Sequence, residues 1–305
     1  MLFSLAVLPR SGEFPQEFIA LPGAGYEPVK ARAASIGTMI DNPRSPRVRA
    51  VAKLSKKDAR ADTGLFLLEG PQAASEALTF RPELVIELFA TPTALDRYPD
   101  LAAAADEAGI EVEFVTEAVI DAMADTVTPQ GIIAVCRQFP TSLKDILASG
   151  PKLLAILEEV RDPGNAGTII RAADAAGADG VILTGRSVDL YNPKVVRATT
   201  GSLFHVPVAI AAELDVVLAK VKAEGIAVLA ADIKGQDLLA ARQDGTLEQP
   251  TAWLFGNEAR GLTDEQLAQA DIAITVPIYG HAESMNLATA ASVCLYESAF
   301  SQRSV

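Results

Sequence analysis

The sequence predicts an α/β protein, a small α/β domain followed by a larger one with a mostly parallel sheet. Three observations predict it. From residue 64 onward, short runs rich in Val, Ile and Leu alternate with stretches of helical period. Runs in the second half, among them "KLLAILEEV", "ADGVILTG" and "TAWLFG", are apolar almost throughout, as strands covered on both faces must be. Between the two series, "QFPTSLKDILASGP" shows neither pattern and reads as a linker, placed at 139–150.

Residues 1–38 are rich in Gly, Pro and Ala without a sustained period, and read as an extension, with Met39 as the expected natural start. The first domain, 39–138, opens with "SPRVRAVAKLSKKDAR", a predicted helix capped by Ser45 with Pro46 in its first turn. Between Arg44 and Arg60 the local balance is +6. In a chain of formal net charge -13, such a helix reads as a docking surface for an anionic polymer, through Arg47, Arg49, Lys53, Lys56 and Lys57. Strand "GLFLLEG", helix "PQAASEAL", strand "ELVIELFAT" and helix "ALDRYPDLAAAADEAG" follow. Strand "IEVEFV", helix "TEAVIDAMAD" and strand "GIIAVCR" complete the domain.

The second domain, 151–305, alternates in the same way through "KLLAILEEV", "GTIIRAADAAG", "ADGVILTG", "PKVVRATTG", "HVPVAIA", "LDVVLAKVKAEG" and "IAVLAAD". It ends with "TAWLFG", "TDEQLAQA", "IAITVPI" and the long helix "SMNLATAASVCLYESAFSQR". The lone Cys136 and Cys294 argue against a disulfide framework and suit a reducing compartment. With only His205 and His281, a histidine metal site and Ser-His-Asp catalysis are nearly excluded, and no metal is expected. No signal peptide or membrane-spanning run is read, so a cytoplasmic protein is expected.

Chemistry concentrates in three stretches: "EEVRDPGNAGTIIRAAD", "LFGNEARGLT" and "VPIYGHAESMNLATA". Each leaves a strand and places small or polar groups before a helix, where α/β sheets bind ligands. G-x-G-x-x-G and P-loop signatures are missing, which disfavours dinucleotide and P-loop chemistry. The residues alone reach a ligand-binding domain with a convergent polar site.

In order and spacing the three stretches resemble the motifs of the SpoU (TrmH) family of AdoMet-dependent RNA ribose 2'-O-methyltransferases, in the SPOUT superfamily. The resemblance spans residues 153–297. The preceding domain resembles, more weakly, the ribosomal-protein-L30-like substrate-binding module of ribosomal-RNA members, on "GLFLLEGPQAASEAL" and the basic helix. The resemblance implies a trefoil-knotted catalytic domain and a homodimer formed through the knot region. It implies AdoMet held by backbone groups near Gly256, Val276, Ile278 and Met285, with help from the loop around Ala230 and Asp232. Met285 departs from the family's usual Leu, a swap of similar volume that should keep the adenine contact.

The same resemblance implies that Asn165, Arg171, Glu258, Ser284 and Asn286 form the catalytic set. Arg171 matches the motif arginine assigned as general base; a guanidinium is a poor proton acceptor, so gripping a phosphate and orienting the hydroxyl is the easier role. Glu258 is expected to order Arg171 or Asn165, while Ser284 and Asn286 position the cofactor and the arginine. Trp253 reads as core, and Tyr279 and His281 as possible RNA contacts. The expected reaction is methylation of a ribose 2'-hydroxyl, with 23S ribosomal RNA as substrate. Transfer RNA, an antibiotic-resistance methylation and an inactive RNA-binding homologue are the alternatives.

Overall fold

A computed structural model describes residues 39–211 and 213–303, and the 1–38 extension lies outside the described residues. The chain enters α1 (Pro46–Lys53) with the Ser45 hydroxyl accepting from the Val48 N–H, as the sequence predicts. The single basic helix expected here is two. After Leu54 the chain turns, and α2 (Lys57–Thr63) starts from an extended Lys56 and ends on Gly64 at φ 66°. The break lets Leu54 enter the core and turns Arg60 inward, where its Nη1 donates to the Leu54 carbonyl at 2.8 Å.

There follow β1 (Leu65–Glu69), α3 (Pro71–Phe80), β2 (Val85–Ala90), α4 (Pro92–Arg97), α5 (Pro99–Glu107), β3 (Val112–Phe114), α6 (Glu117–Met123) and β4 (Ile132–Arg137). The helix expected over 94–109 splits at Tyr98, because Pro99 disfavours the helical conformation in the residue before it. The four strands lie in the order β1-β4-β2-β3, with β4 antiparallel to both neighbours and β3 parallel to β2. Strand alternation divides the side chains between two cores. Leu65 and Leu67 pack with Val48, Val51 and Ile120, whereas Phe66 and Leu68 join a core continuous with the second domain.

The tract read as a linker carries α7 (Leu143–Ala148), capped by Ser142, with Ile146 and Leu147 buried among second-domain residues. Then come β5 (Leu153–Glu158), α8 (Pro163–Ala176), β6 (Gly180–Thr184), α9 (Pro193–Thr199), β7 (Val208–Ile210), α10 (Leu214–Ala223) and β8 (Ala227–Asp237). The chain closes with α11 (Leu238–Gln243), β9 (Thr251–Phe255), α12 (Asp264–Leu267), β10 (Ile272–Thr275) and α13 (Leu287–Arg303). All six strands are parallel, in the order β10-β8-β9-β5-β6-β7. Both faces are covered, as the continuous apolar runs require. Trp253 is fully buried, its indole N–H donating to the Ser298 hydroxyl at 2.9 Å, so it is core. Helices α8 and α9 pack closely because Gly167 has no side chain; a Cβ there would lie 2.5 Å from that of Ala198.

The two domains share more than an apolar seam. Helix α9 packs on β1, with Val195 and Val196 in the same core as Phe66 and Leu68. Arg197 on α9 donates to Glu69 at 2.6 Å and to Asp125 at 3.0 Å, and Arg60 binds Asp189. His205 lies between Asp174 of α8 at 2.9 Å and Glu76 of α3 at 3.1 Å, with the Phe80 ring beside it.

The hydrogen bond to Asp174, opposed by partial burial and aided by the charges of Asp174 and Glu76, raises the His205 pKa above its ordinary value. A raised pKa means that the latch stabilises the fold fully below the unfolded-state value of about 6.5 and loses that contribution as pH rises through the folded value. The melting temperature of the wild type relative to His205→Gln is therefore expected to be highest in mild acid and to decline through neutrality into mild base. A pH-independent difference between the two melting curves would contradict the assignment.

Candidate active site

Strand order fixes where a ligand site forms. From β5 the chain builds β6 and β7 outward on one side, then crosses to β8 and returns to insert β9 beside β5. The order reverses between β5 and β9, and the crevice at their carboxyl ends is the usual ligand position in open α/β sheets. Three chain segments meet there: the β5–α8 turn, the turn after β9, and residues 276–286 leading into α13.

Glu258 is the junction. Its Oε1 accepts from the Asp162 N–H at 2.9 Å, and its Oε2 from the Arg161 N–H at 3.2 Å. The side-chain amide of Asn165 donates to Oε1 at 3.4 Å. Asn165 Oδ1 accepts in turn from Asn286 Nδ2 at 2.9 Å. The Asn286 Oδ1 faces the N–H groups of Ala288 and Thr289 at 2.9 and 3.2 Å. Partial burial opposes the Glu258 charge, but hydrogen bonds from Asp162, its own N–H, Arg161 and Asn165 prevail and hold its pKa below the ordinary carboxylate value. The site therefore contains a carboxylate that stays ionised at neutral pH.

The turn that delivers Glu258 is built for it. Gly261 takes φ 68°, its N–H closes on the Asn257 carbonyl at 2.8 Å, and the Asn257 amide donates to the Glu159 carbonyl at 2.8 Å. A Cβ at Gly256 would lie 2.6 Å from the Gly261 carbonyl carbon, so the turn itself requires that glycine. Below it, burial raises the pKa of Glu158 against a hydrogen bond from Thr184 at 2.5 Å, and Gln266 donates to its other oxygen at 3.0 Å. Glu159 holds a left-handed backbone at φ 50°, which costs a residue with a side chain about 1–2 kcal/mol.

The structure brings together Asn165, Glu258 and Asn286 of the expected catalytic set. Helix α13 begins at Leu287, so Asn286 is its cap, while Ser284 lies exposed in the loop before it. Arg171 is exposed on α8, about 9 Å along the axis from Asn165. Asp174 faces His205 and Glu159 faces Arg161 and Arg260; Arg171 takes part in neither pairing.

For AdoMet, the relevant surface is the segment from Val276 to Met285. Val276 and Met285 are half-buried and Ile278 is exposed. Among the described residues, the backbone of 276–285 makes no hydrogen bond to other backbone groups. Backbone donors and acceptors beside apolar side chains fit a purine with its ribose. The β8–β10 pairing jumps in register from Ala230 to Gln236, leaving the Ala230–Asp232 region beside this segment's origin.

The expected RNA-binding stripe is thinner than its charge suggested. Lys53, Lys56 and Lys57 are exposed. Arg49 is exposed, but folds its guanidinium onto the Arg44 carbonyl at 2.9 and 2.6 Å. Arg47 is half-buried, and its guanidinium donates to Glu87 at 2.8 Å and Glu113 at 2.9 Å over the Phe89 ring. Outside the expected set, the site is also built by Arg161, Asp162, Asn257, Glu159 and Arg260. Asp162 is legible as the cap three residues before Asn165, whose N–H it accepts at 2.7 Å.

An ionised carboxylate and two amides in fixed order, beside unpaired backbone at the reversal of a parallel sheet, define an α/β ligand-binding enzyme with a small accessory domain. The profile of the SpoU rRNA Methylase family matches residues 152–296. That of RNA 2'-O ribose methyltransferase substrate binding matches residues 67–142. The 23S rRNA (guanosine(2553)-2'-O)-methyltransferase RlmP of Bacillus subtilis is 36% identical over 84% of this chain and 97% of its own length. The AdoMet-bound rRNA methyltransferase from Sinorhizobium meliloti superposes with a TM-score of 0.72 at 32% identity, over 86% of this chain and 97% of its own. The SpoU methyltransferase AviRb from Streptomyces viridochromogenes, in complex with AdoMet, gives 0.73 at 27% identity, over 86% of this chain and 100% of its own. The chain belongs to the SpoU methylase family.

Asn286 separates stability from site order. Asn286→Ala is expected to lose the α13 cap, at about 1 kcal/mol in chemical denaturation. Asn286→Asp keeps a good cap but sets a carboxylate against Asn165 Oδ1. Turning the Asn165 amide to escape would point that oxygen at Glu258. A variant with wild-type melting temperature and impaired turnover is the expected result; one with full turnover would show that the amide chain does not matter.

Proposed function

We propose that this protein transfers a methyl group from AdoMet to a ribose 2'-hydroxyl, with 23S rRNA as the substrate. The observation that carries the reading is the Glu258–Asn165–Asn286 chain beside the open backbone of 276–285. When bound, AdoMet supplies a methyl group already activated by its sulfonium. The protein's task is then placement of the attacking hydroxyl, which can contribute up to roughly 7–11 kcal/mol. Gly256, Val276, Ile278 and Met285 hold the cofactor through backbone groups and apolar contact. Glu258 and Asn165 fix the start of α8, and with it the position of Arg171. Arg171, exposed on α8, grips the phosphate next to the target ribose and orients its hydroxyl; Ser284 lies in the loop before α13.

The basic helices give the RNA a second hold through Lys53, Lys56 and Lys57, with Arg49 beside them. The substrate-binding profile begins at residue 67, beyond these helices, and supports RNA binding by the small domain as a whole. A homodimer through the knot region is part of the same reading. The proposed knot is supported by the return of segment 276–286 from the edge strand β10 to the ends of β5 and β9. Among the described residues no helix is long and apolar enough to cross a membrane, and an rRNA substrate would place the protein in the cytoplasm.

Isothermal calorimetry is expected to detect AdoMet binding by the purified protein; no heat of binding would leave only an inactive RNA-binding homologue. Arg171→Ala should lower the methylation rate by on the order of 100-fold or more at unchanged AdoMet affinity. Near-normal turnover in that variant would remove Arg171 from the active site. Mapping ribose methylation across total RNA of a strain lacking the protein decides between ribosomal and transfer RNA.

Replacing Lys53, Lys56 and Lys57 with Glu should weaken RNA binding and flatten its dependence on salt, because fewer counterions are released. If the slope of log affinity against log salt does not move, the helix is only solvated.

A further inference from the structure

Glu159 is one of two non-glycine residues at positive φ among those described, the other being Thr200. Glycine would occupy that backbone without strain, so the side chain must return something for the distortion. Its carboxylate, 16% exposed, accepts from Arg161 Nη2 at 3.2 Å and is also bound by Arg260 Nη2. Those arginines come from different segments, Arg161 from the β5–α8 turn and Arg260 from the turn after β9. Their side chains remain 56% and 53% exposed. Both are tied to the reaction centre, since the Arg161 N–H donates to Glu258 and Arg260 lies in the turn that delivers it.

Two guanidiniums share one carboxylate, and although the Glu258 and Asp162 carboxylates nearby offset their charge, both keep N–H donors directed to solvent at the rim of the site. Arg186, exposed just past the end of β6, adds a further cation at the adjoining strand end. An isolated structural ion pair would need one arginine, not two that are half exposed. Guanidinium forks match phosphate oxygens, so these exposed donors suit a phosphate by geometry.

We propose that Arg161 and Arg260, held in place by Glu159, clamp a backbone phosphate of the RNA beside the nucleotide being methylated. The inference rests on the RNA methyl-transfer reading. Arg161 and Arg260 would touch the substrate, whereas Glu159 acts through them as a positioning residue.

The test uses the full chain with a fluorescein-labelled 23S rRNA transcript, its affinity read by anisotropy over a series of salt concentrations without AdoMet. For Arg161→Ala/Arg260→Ala the slope of log affinity against log salt should fall by about 0.7–0.9, the share of one phosphate, at unchanged calorimetric AdoMet affinity. An unchanged slope overturns the clamp. So does a loss of AdoMet affinity at an unchanged slope, which would assign the arginines to the cofactor's carboxylate.

Glu159→Gly tests the positioning role. Its melting temperature should equal or exceed that of the wild type, because glycine takes φ 50° freely, while turnover at saturating RNA falls roughly 10-fold. A lower melting temperature with full turnover would make Glu159 merely structural and overturn its part. If the wild type methylated no rRNA, the proposed reaction would fail, and the clamp would still stand or fall by the salt slope.

Discussion

The arrangement of the site depends on one ionised group, the carboxylate of Glu258. An ionised carboxylate only accepts hydrogen bonds. It binds the N–H groups of Arg161 and Asp162, which precede α8, and so joins the end of β9 to the start of that helix. The direction of every later bond follows. Asn165 must turn its Nδ2 toward Glu258, which leaves its Oδ1 to meet a donor. Asn286 supplies that donor through Nδ2, and its remaining Oδ1 then faces the first N–H groups of α13. Three segments far apart in sequence are thus locked in one relative position by a chain of bonds with a single allowed polarity.

That order explains the contrast within the site. The groups that need fixed geometry are bonded to one another, while Arg171 and the backbone of 276–285 remain open to ligands. A centre prepared before its ligands arrive needs little rearrangement as charge shifts during transfer. The same economy extends to the small domain. Its core is continuous with that of the catalytic domain, and Arg197, Arg60 and His205 add ionic ties across the seam. RNA held by the small domain is consequently held at a defined distance from the crevice.

Much of this was legible in the sequence, for identifiable reasons. Continuous apolar runs such as Leu153–Glu158 announced buried parallel strands, the three polar turns announced a convergent polar site, and only their family resemblance implied a residue set, of which Asn165, Glu258 and Asn286 are hydrogen-bonded together. What failed depended on contacts distant in the chain. Nothing in the periodicity of residues 45–60 says that Leu54 is needed in the core, or that Arg60 will find Asp189, 129 residues away. Arg47 was counted as a free cation because Glu87 and Glu113 face it only after β2 and β3 pair. The break before Pro99 was readable from proline chemistry and was overlooked. The helix within the expected linker was masked by its short length, although Ser142 is a good cap.

With Arg47 and Arg60 paired inside the protein, the cationic surface proposed to hold RNA rests mainly on Arg49, Lys53, Lys56 and Lys57. Counterion release from a few phosphates gives weak, sequence-independent binding at physiological salt, and the surrounding charge of -13 works against it. Electrostatics alone therefore cannot select one ribose among many. On the proposed reading, selection would draw on shape: an RNA whose fold presents a phosphate to the small domain and an accessible 2'-hydroxyl to the crevice at a matching spacing. Single-stranded loops held within a folded RNA meet that requirement better than a regular duplex does, because their nucleotides can be splayed into a protein site.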